Sequence, residues 1–259
     1  MMEDMTWGEI EQAIKDGKNT VLVVAGSIEQ HGPHLPTSTD TTLGYAVAER
    51  CARKLGNVLV APVIRPGLSE HHIGFPGSFT VTIDTFISIL YEYCESLIKT
   101  GFKNICIFSS HGGNTDALTT YIPRIAQRFM GRAMIFTIPP ERYLFVDVDY
   151  LAKKGVSRAK AGVHAGYSET CMMLYLKPSI TRMDLAKKGL ANEEFYQPIN
   201  LWKSQLETFT MGVKKKSPNG VLGDPRGASA EVGKKLIEVT VNSLCKEIRA
   251  CLRIPKGKK

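Results

Sequence analysis

The amino-acid sequence predicts an α/β chain folded as a single three-layer α/β/α domain, residues 1–259, with a mostly parallel central sheet. Short apolar, β-branched runs alternate with stretches of helical periodicity along most of its length, the pattern of βαβ units. No linker-like shift in composition interrupts that alternation. At 259 residues, 43% hydrophobic and 22% charged, the chain is long enough to bury a large core.

The first stretch, "TWGEIEQAIKDG", has helical spacing, and "TVLVVAG" after it has the length and β-branching of a buried parallel strand. A turn rich in Gly, Pro and Thr leads to "TLGYAVAERCARKLG", a helix stopped by Gly56. "NVLVAPVI" repeats the strand pattern, and residues 65–80, "RPGLSEHHIGFPGSFT", read as a long loop. A long helix is expected from about Asp84 to Gly101, then a buried strand over "KNICIFSS". A helix over "TDALTTYIPRIAQRFMG", kinked at Pro123, and a further strand over "AMIFTI" follow. Residues 139–163 have no clear period. "SETCMMLYL" reads as a buried helix. "ASAEVGKKLIEVTVNSLCKEIRACL" reads as an amphipathic one, with Val232, Leu236, Val239, Leu244 and Ile248 near the helical repeat. The short basic tail, residues 254–259, is expected to be disordered.

The formal net charge is +8, and a positive field attracts phosphates and acidic ligands. The excess is not focused: Lys214, Lys215 and Lys216 form one polar run, and Lys256, Lys258 and Lys259 lie in the tail. Without a basic stripe interleaved with aromatics, or zinc-finger spacing, nucleic-acid binding is not expected. No apolar run approaches the roughly 18 residues that cross a bilayer, and "MMEDMTWGEI" lacks a basic start followed by an apolar stretch. No membrane partner is therefore expected, and a cytoplasmic location is. The 6 cysteines lack CxxC spacing, and several fall in apolar segments, as reduced, buried thiols do.

Histidine is scarce, and its placement carries the functional reading. His31 and His34 lie in "SIEQHGPHLP", His71 and His72 in "SEHHIGFPG", His111 in "SSHGGN" and His164 in "VHAGYSE", all turn segments. In an open α/β sheet the loops leaving the carboxyl ends of strands gather at one edge, where ligands bind. Glu29 and His31 follow the first predicted strand and His111 the third, so these loops are expected to converge. Imidazoles with carboxylates suit zinc, manganese or iron better than calcium, and a carboxylate such as Asp40 can bridge two ions. Such a pair can hold a hydroxide and polarise a carbonyl, which points to metal-assisted hydrolysis. In "HGGN", Gly112 and Gly113 permit a tight turn and close approach to a bound group. Asn114 can cap the next helix, whose free N–H groups face an anionic oxygen.

Taken in order, "GSIEQHGPHLPTSTD", "SEHHIGFPG", "SSHGGN", "HAGYSETCMML" and "GVLGDPRGASAEVG" resemble the creatininase family of metal-dependent amidohydrolases, over about residues 5–250. The resemblance implies a small-molecule substrate, two divalent metal ions (zinc with manganese or iron), a homo-oligomer, and hydrolysis of non-peptidic C–N bonds by a metal-bound hydroxide. It implies that Glu29, Asp40 and His111 hold one metal and that His31 and Asp40 hold the other. In creatininase itself the His-Gly-Gly turn reads His-Tyr-Glu, and that Glu completes the second site. Here Gly113 stands in its place, and Glu169, in "HAGYSET", is the implied replacement. His164 matches the family's active-site histidine, a proton donor to the leaving nitrogen. His164 and Glu169 are thus the expected catalytic residues, and His72, Gly112, Gly113 and Asn114 are expected to meet the substrate.

Creatininase carries a tryptophan four residues before the equivalent of His164, where this chain has Lys160. The quoted turns resemble more closely two other members. One is a deformylase acting on a ribosylaminopyrimidine phosphate in flavin and deazaflavin biosynthesis, and the other a peptidase-like member that trims a redox-cofactor precursor. Lys160 or Arg226 would suit a phosphorylated substrate. The alternative class is a non-catalytic metal-binding module on the same scaffold.

Each residue also has a plainer reading. Glu29, His31 and Asp40 could form a polar turn with Asp40 capping a helix, and Glu169 could simply favour a helix N-terminus. His34 reads as a surface or supporting residue. Adjacent His71 and His72 point opposite ways in extended chain, so one is expected to line the pocket, with Glu70 an alternative partner for an imidazole. "GDPRGASAE" reads as architectural, with a helix start at Ser229 or Asp224 and glycines that could face an oligomer neighbour.

Overall fold

The computed structural model of the protein describes residues 1–193 and 198–253; the tail expected to be disordered lies outside them. Strands β1 (Thr20–Ala25), β2 (Val58–Val60), β3 (Asn104–Ser109) and β4 (Met134–Thr137) pair in parallel in the order β2-β1-β3-β4. The helices are α1 (Trp7–Lys15), α2 (Thr39–Leu55), α3 (Ile83–Lys99), α4 (Thr115–Arg128), α5 (Val146–Lys153), α6 (Arg158–Ala161), α7 (Tyr167–Leu176), α8 (Pro198–Met211), α9 (Val213–Lys216) and α10 (Ala230–Leu252).

Alternation along β1 sorts the core into two layers. Val21, Val23 and Ala25 pack with Phe86 and Leu90 of α3 and Leu118 and Ile122 of α4. Leu22 and Val24 pack on the other face with Val47 of α2, Met173 of α7 and Leu236 and Leu244 of α10. A strand apolar on both sides needs helices on both faces, and this chain supplies them. Cys51, Cys94, Cys106, Cys171 and Cys245 are buried free thiols, and Cys251 is exposed.

Local chemistry sets the helix ends. Thr6 and Glu9 form a reciprocal cap on α1, with Thr6 N–H donating to Glu9 Oε2 at 2.7 Å. Ser229, not Asp224, starts α10, its Oγ accepting from Val232 N–H. Gly56 ends α2 at φ 87°. The α4 helix continues through Pro123, which is exposed and leaves the Thr119 carbonyl on the exposed side. The stretch without a period folds into the short helices α5 and α6. The sequence reading assigned no helix where α8 forms. Among the described residues no helix is long and apolar enough to cross a membrane.

From β1 the chain passes through α2 to β2 on one side, whereas β3 lies on the other side of β1. The strand order therefore reverses between β1 and β3, and a crevice opens beyond their carboxyl ends. The loops after these two strands carry Glu29, His31 and His111.

Candidate metal centre

The first turn of α2 brings Asp40 into this crevice, between the two loops. His111 Nδ1 lies 3.3 Å from Glu29 Oε2 and 3.2 Å from Asp40 Oδ2. His31 Nε2 lies 3.2 Å from Asp40 Oδ1 and 3.8 Å from Glu169 Oε2, on α7. The two oxygens of Asp40 thus face different imidazoles, and Glu29, His31, Asp40 and His111 are all buried.

Outer contacts set which nitrogen each ring turns inward. A carbonyl only accepts, so His111 Nε2–H donates to Leu68 O at 2.9 Å and leaves Nδ1 bare. His31 Nδ1–H donates to Glu29 O at 3.1 Å and leaves Nε2 bare. Ser69 Oγ donates to Glu29 Oε2 at 2.6 Å, and Ser27 Oγ to Asp40 Oδ2 at 2.5 Å. His164 Nε2 donates to Gln30 O at 2.8 Å, which turns its Nδ1 toward Glu29 Oε1, 3.5 Å away.

Charge is drawn into the buried cluster. Burial disfavours a charged His31, but Asp40, Glu169 and Glu29 outweigh it and push its pKa up to about 10. His111 is likewise raised well above the ordinary range, by Glu29 and Asp40 acting against burial. Burial works against charge on Asp40 too, yet His31 and His111 hold it well below the usual carboxylate range. Burial pushes Glu169 up to about 7, with His31 pulling the other way. Burial holds His164 and His72 well below the histidine range, aided by neighbouring imidazoles.

The residues present fit a divalent cation. Donor atoms about 2.1 Å from a tetrahedral ion stand about 3.4 Å apart, close to the 3.2 and 3.3 Å separations around His111. Glu29 Oε1 and His31 Nε2 are buried without a hydrogen-bond partner, a costly state for such atoms unless a cation joins them. Glu29, His31 and Asp40 offer donor atoms within 4.8 Å of one another, as do His31, His164 and Glu169. Imidazole nitrogen with carboxylate oxygen suits zinc, manganese or iron.

Gly113 has no room for a side chain. A β-carbon there would stand 2.3 Å from Leu68 O and 2.4 Å from His111 Nε2. Glu169 instead reaches the His31 side of the cluster from α7, its Oε2 also accepting from Ala165 N–H at 2.5 Å.

Several expectations are corrected. Asn114 stands at the N-cap position of α4 but its side chain makes no capping bond and does not line the cavity: its amide is spent on Leu68 N–H at 2.9 Å and on the carbonyls of Ala25 and Gly26. His71 and His72 are not in extended chain but in a 3-10 turn, so both rings turn inward, 4.3 Å apart, and both line the cavity. Glu70 is exposed and orients no imidazole. His34 is buried rather than at the surface, its Nε2–H donating to Thr170 Oγ1 at 2.9 Å. Of the proposed phosphate ligands, Arg226 pairs with Asp224 and Lys160 lies over the Tyr167 ring; neither lines the cavity.

The centre opens into a cavity of about 690 Å³, lined by Glu29, Asp40, His111, His164 and Glu169 together with His72, Gly112 and Gly113. The sequence reading missed Gln30. Its Nε2 donates to His72 Nδ1 at 2.8 Å and to Gly220 O at 3.2 Å, and its Oε1 accepts from Gly32 N–H. A β-carbon on Gly220 would collide with Gln30 Oε1. Nearby, Leu222 pairs with His164 as an isolated bridge, so the glycine-rich stretch braces His164. Only its position between Glu29 and His31 marked Gln30 in the sequence.

The geometry agrees with comparisons across known proteins. A family profile, creatininase (creatinine amidohydrolase), matches residues 3–248. The chain is 31% identical to the mycofactocin precursor peptide peptidase of Mycolicibacterium smegmatis, over 88% of this chain and 84% of that protein. It is 28% identical to the 3-dehydro-scyllo-inosose hydrolase of Thermotoga maritima, over 99% of this chain and 85% of that one. The solved structure "Creatininase Mn" shares its fold with a TM-score of 0.76 at 22% identity, covering 96% of each chain. With the profile spanning nearly the whole sequence and hydrolases among its relatives, the chain belongs to the creatininase family and is a hydrolytic enzyme.

Proposed function

We propose that the protein is a metal-dependent amidohydrolase that cleaves a non-peptidic C–N bond, in an amide, cyclic amide or formamide, of a small metabolite. Two divalent ions, zinc with manganese or iron, would be its cofactors. Glu29, Asp40 and His111 would hold one, and His31, Asp40 and Glu169 the other. The observation that carries the reading is Asp40, whose two oxygens lie 3.2 Å from ring nitrogens of two different histidines. The manganese in the name of the compared creatininase supports the choice of metal.

Bound there, divalent ions supply an acidified water and a charge that polarises the carbonyl. The chain supplies the proton transfers. His164 is held neutral by burial, with Nε2–H tied to Gln30 O and Nδ1 free beside Glu29. It takes a proton from the attacking water and returns it to the leaving nitrogen, so that the C–N bond breaks to an acid and an amine.

A second reading, hydrolysis of an amide carried on a peptide, is favoured by the 31% identity to a peptide peptidase. The deformylase alternative loses its argument from Lys160 and Arg226, which lie off the cavity. A cytoplasmic location and a homo-oligomer belong to the same proposal. Exposed Leu206 and Phe209 on α8, beside the cavity, support assembly, and light scattering of the purified protein tests it.

Metal analysis of the purified protein, with hydrolysis assays on creatinine, formylaminopyrimidine nucleotides, simple formamides and short peptides, each with and without chelator, tests the function. Chelator-sensitive release of an amine from a small amide is expected. Bound metal without turnover across the panel would move the protein to the non-catalytic class.

A further inference from the structure

Two polar side chains that line the cavity are left unused by the proposed hydrolysis. Asp147, in the first turn of α5, is only 5% exposed and lines this cavity. Its Oδ2 accepts a hydrogen bond from Ser168 Oγ, while Oδ1 is buried without any partner. Ser110 Oγ is also buried without a partner and lines the same cavity. Gly44 makes room for it, since a β-carbon there would stand 2.5 Å from that oxygen. Phe108, Val148 and Met172 are among the apolar residues that line the same cavity. Arg158 also lines the cavity, but its guanidinium is engaged with Asp149 at 2.6 Å.

Buried polar atoms without a partner are costly to keep unless a ligand satisfies them. Neither Asp147 nor Ser110 belongs to the candidate metal ligands. Burial raises the Asp147 carboxyl above its ordinary range, with Ser168 and the backbone N–H groups of Val148 and Asp147 opposing it.

We propose that Asp147 and Ser110 form a substrate-recognition site for a hydroxyl or amino group carried on the part of the substrate away from the scissile bond. Asp147 Oδ1 accepts a hydrogen bond from that O–H or N–H, and Ser110 Oγ makes the second contact. The inference rests on the hydrolase reading only in taking this cavity as the substrate chamber.

Binding of 2-pyrrolidinone and its 4-hydroxy and 4-amino derivatives to the zinc-loaded full chain, followed by ligand-observed NMR titration, tests the site. At least one derivative is expected to bind about tenfold more tightly than the parent. Asp147→Ala should abolish that preference and leave binding of the parent within about twofold. Asp147→Asn, which keeps the shape and loses the charge, carries the test if the alanine variant fails to fold, and should weaken the amino derivative most. Equal binding of all three compounds, no binding of either derivative, or a preference that survives both substitutions overturns the proposal. A fall in thermal midpoint with the preference intact would mean that Asp147 merely anchors Ser168, and overturns it too. Metal content and chelator-sensitive turnover are read separately, so failure here is distinguishable from failure of the hydrolase reading.

Discussion

His111 donates its Nε2–H to the Leu68 carbonyl at 2.9 Å, and this contact turns Nδ1 toward Glu29 and Asp40. A loop backbone far from β3 in sequence therefore sets the tautomer of a candidate ligand.

Asp40 is placed to serve both cations, so Asp40→Asn should affect both. We expect the purified variant to lose most of its metal by elemental analysis and its chelator-sensitive hydrolysis to fall at least about a hundredfold. Metal content equal to wild type would remove Asp40 from the ligand set.

Ser69 Oγ donates to Glu29 Oε2 at 2.6 Å and also lies 3.4 Å from His111 Nε2. Ser69→Ala should weaken metal binding about tenfold to a hundredfold, measured by competition with a fluorescent chelator, without unfolding the chain. Unchanged affinity would show that Ser69 orients nothing.

His164 is assigned to proton transfer rather than ligation. His164→Asn should keep full metal content while kcat drops about a hundredfold to ten-thousandfold. Loss of metal in parallel with activity would instead make it a ligand.

The turn after β3 distinguishes its two glycines. Gly113→Ala forces a β-carbon to 2.3 Å from Leu68 O and should cost about 1–3 kcal/mol in urea unfolding. Gly112→Ala meets nothing within 4 Å and should stay within about 0.5 kcal/mol of wild type. Similar losses at both positions would contradict the packing described around His111.

Burial, with His31 nearby, holds His34 down at about 4, against an ordinary value of 6.5. A histidine whose folded pKa lies below its unfolded one adds stability above the unfolded value, which is lost as pH falls toward the folded one. Wild type should therefore lose unfolding free energy between pH 6.5 and about 4, and His34→Gln should lose less over the same interval. Parallel pH profiles for the two proteins would rule out His34 as a contributor.

Much of this architecture was legible from local pattern. The four strands of the sheet fall within the apolar runs that predicted them, and α2, α3, α4, α7 and α10 fall where helical periods do. The convergence of Glu29, His31 and His111 followed from a rule about strand ends, because side chains just past a strand have little freedom to be elsewhere, whereas Asp40, in the first turn of α2, entered through the family resemblance. The α8 helix escaped notice. The inward turn of both His71 and His72 did too, because adjacent residues give no sign of whether their backbone is extended or in a 3-10 turn.

Residue order and type were enough to name the fold class, since apolar period and short-range turn chemistry are written along the chain, and the ordered motifs were enough to mark, by resemblance, the family and its candidate ligands. Long-range contacts decided the rest. Asn114 is tied to Leu68, Ala25 and Gly26, Gln30 joins His72 to Gly220, and Asp147 reaches the cavity beside Ser168. Those pairings depend on the order of strands and the packing of loops over them. Which hydrogen-bonding atoms find partners, and which are left facing a ligand, is settled only when the whole chain has closed around them.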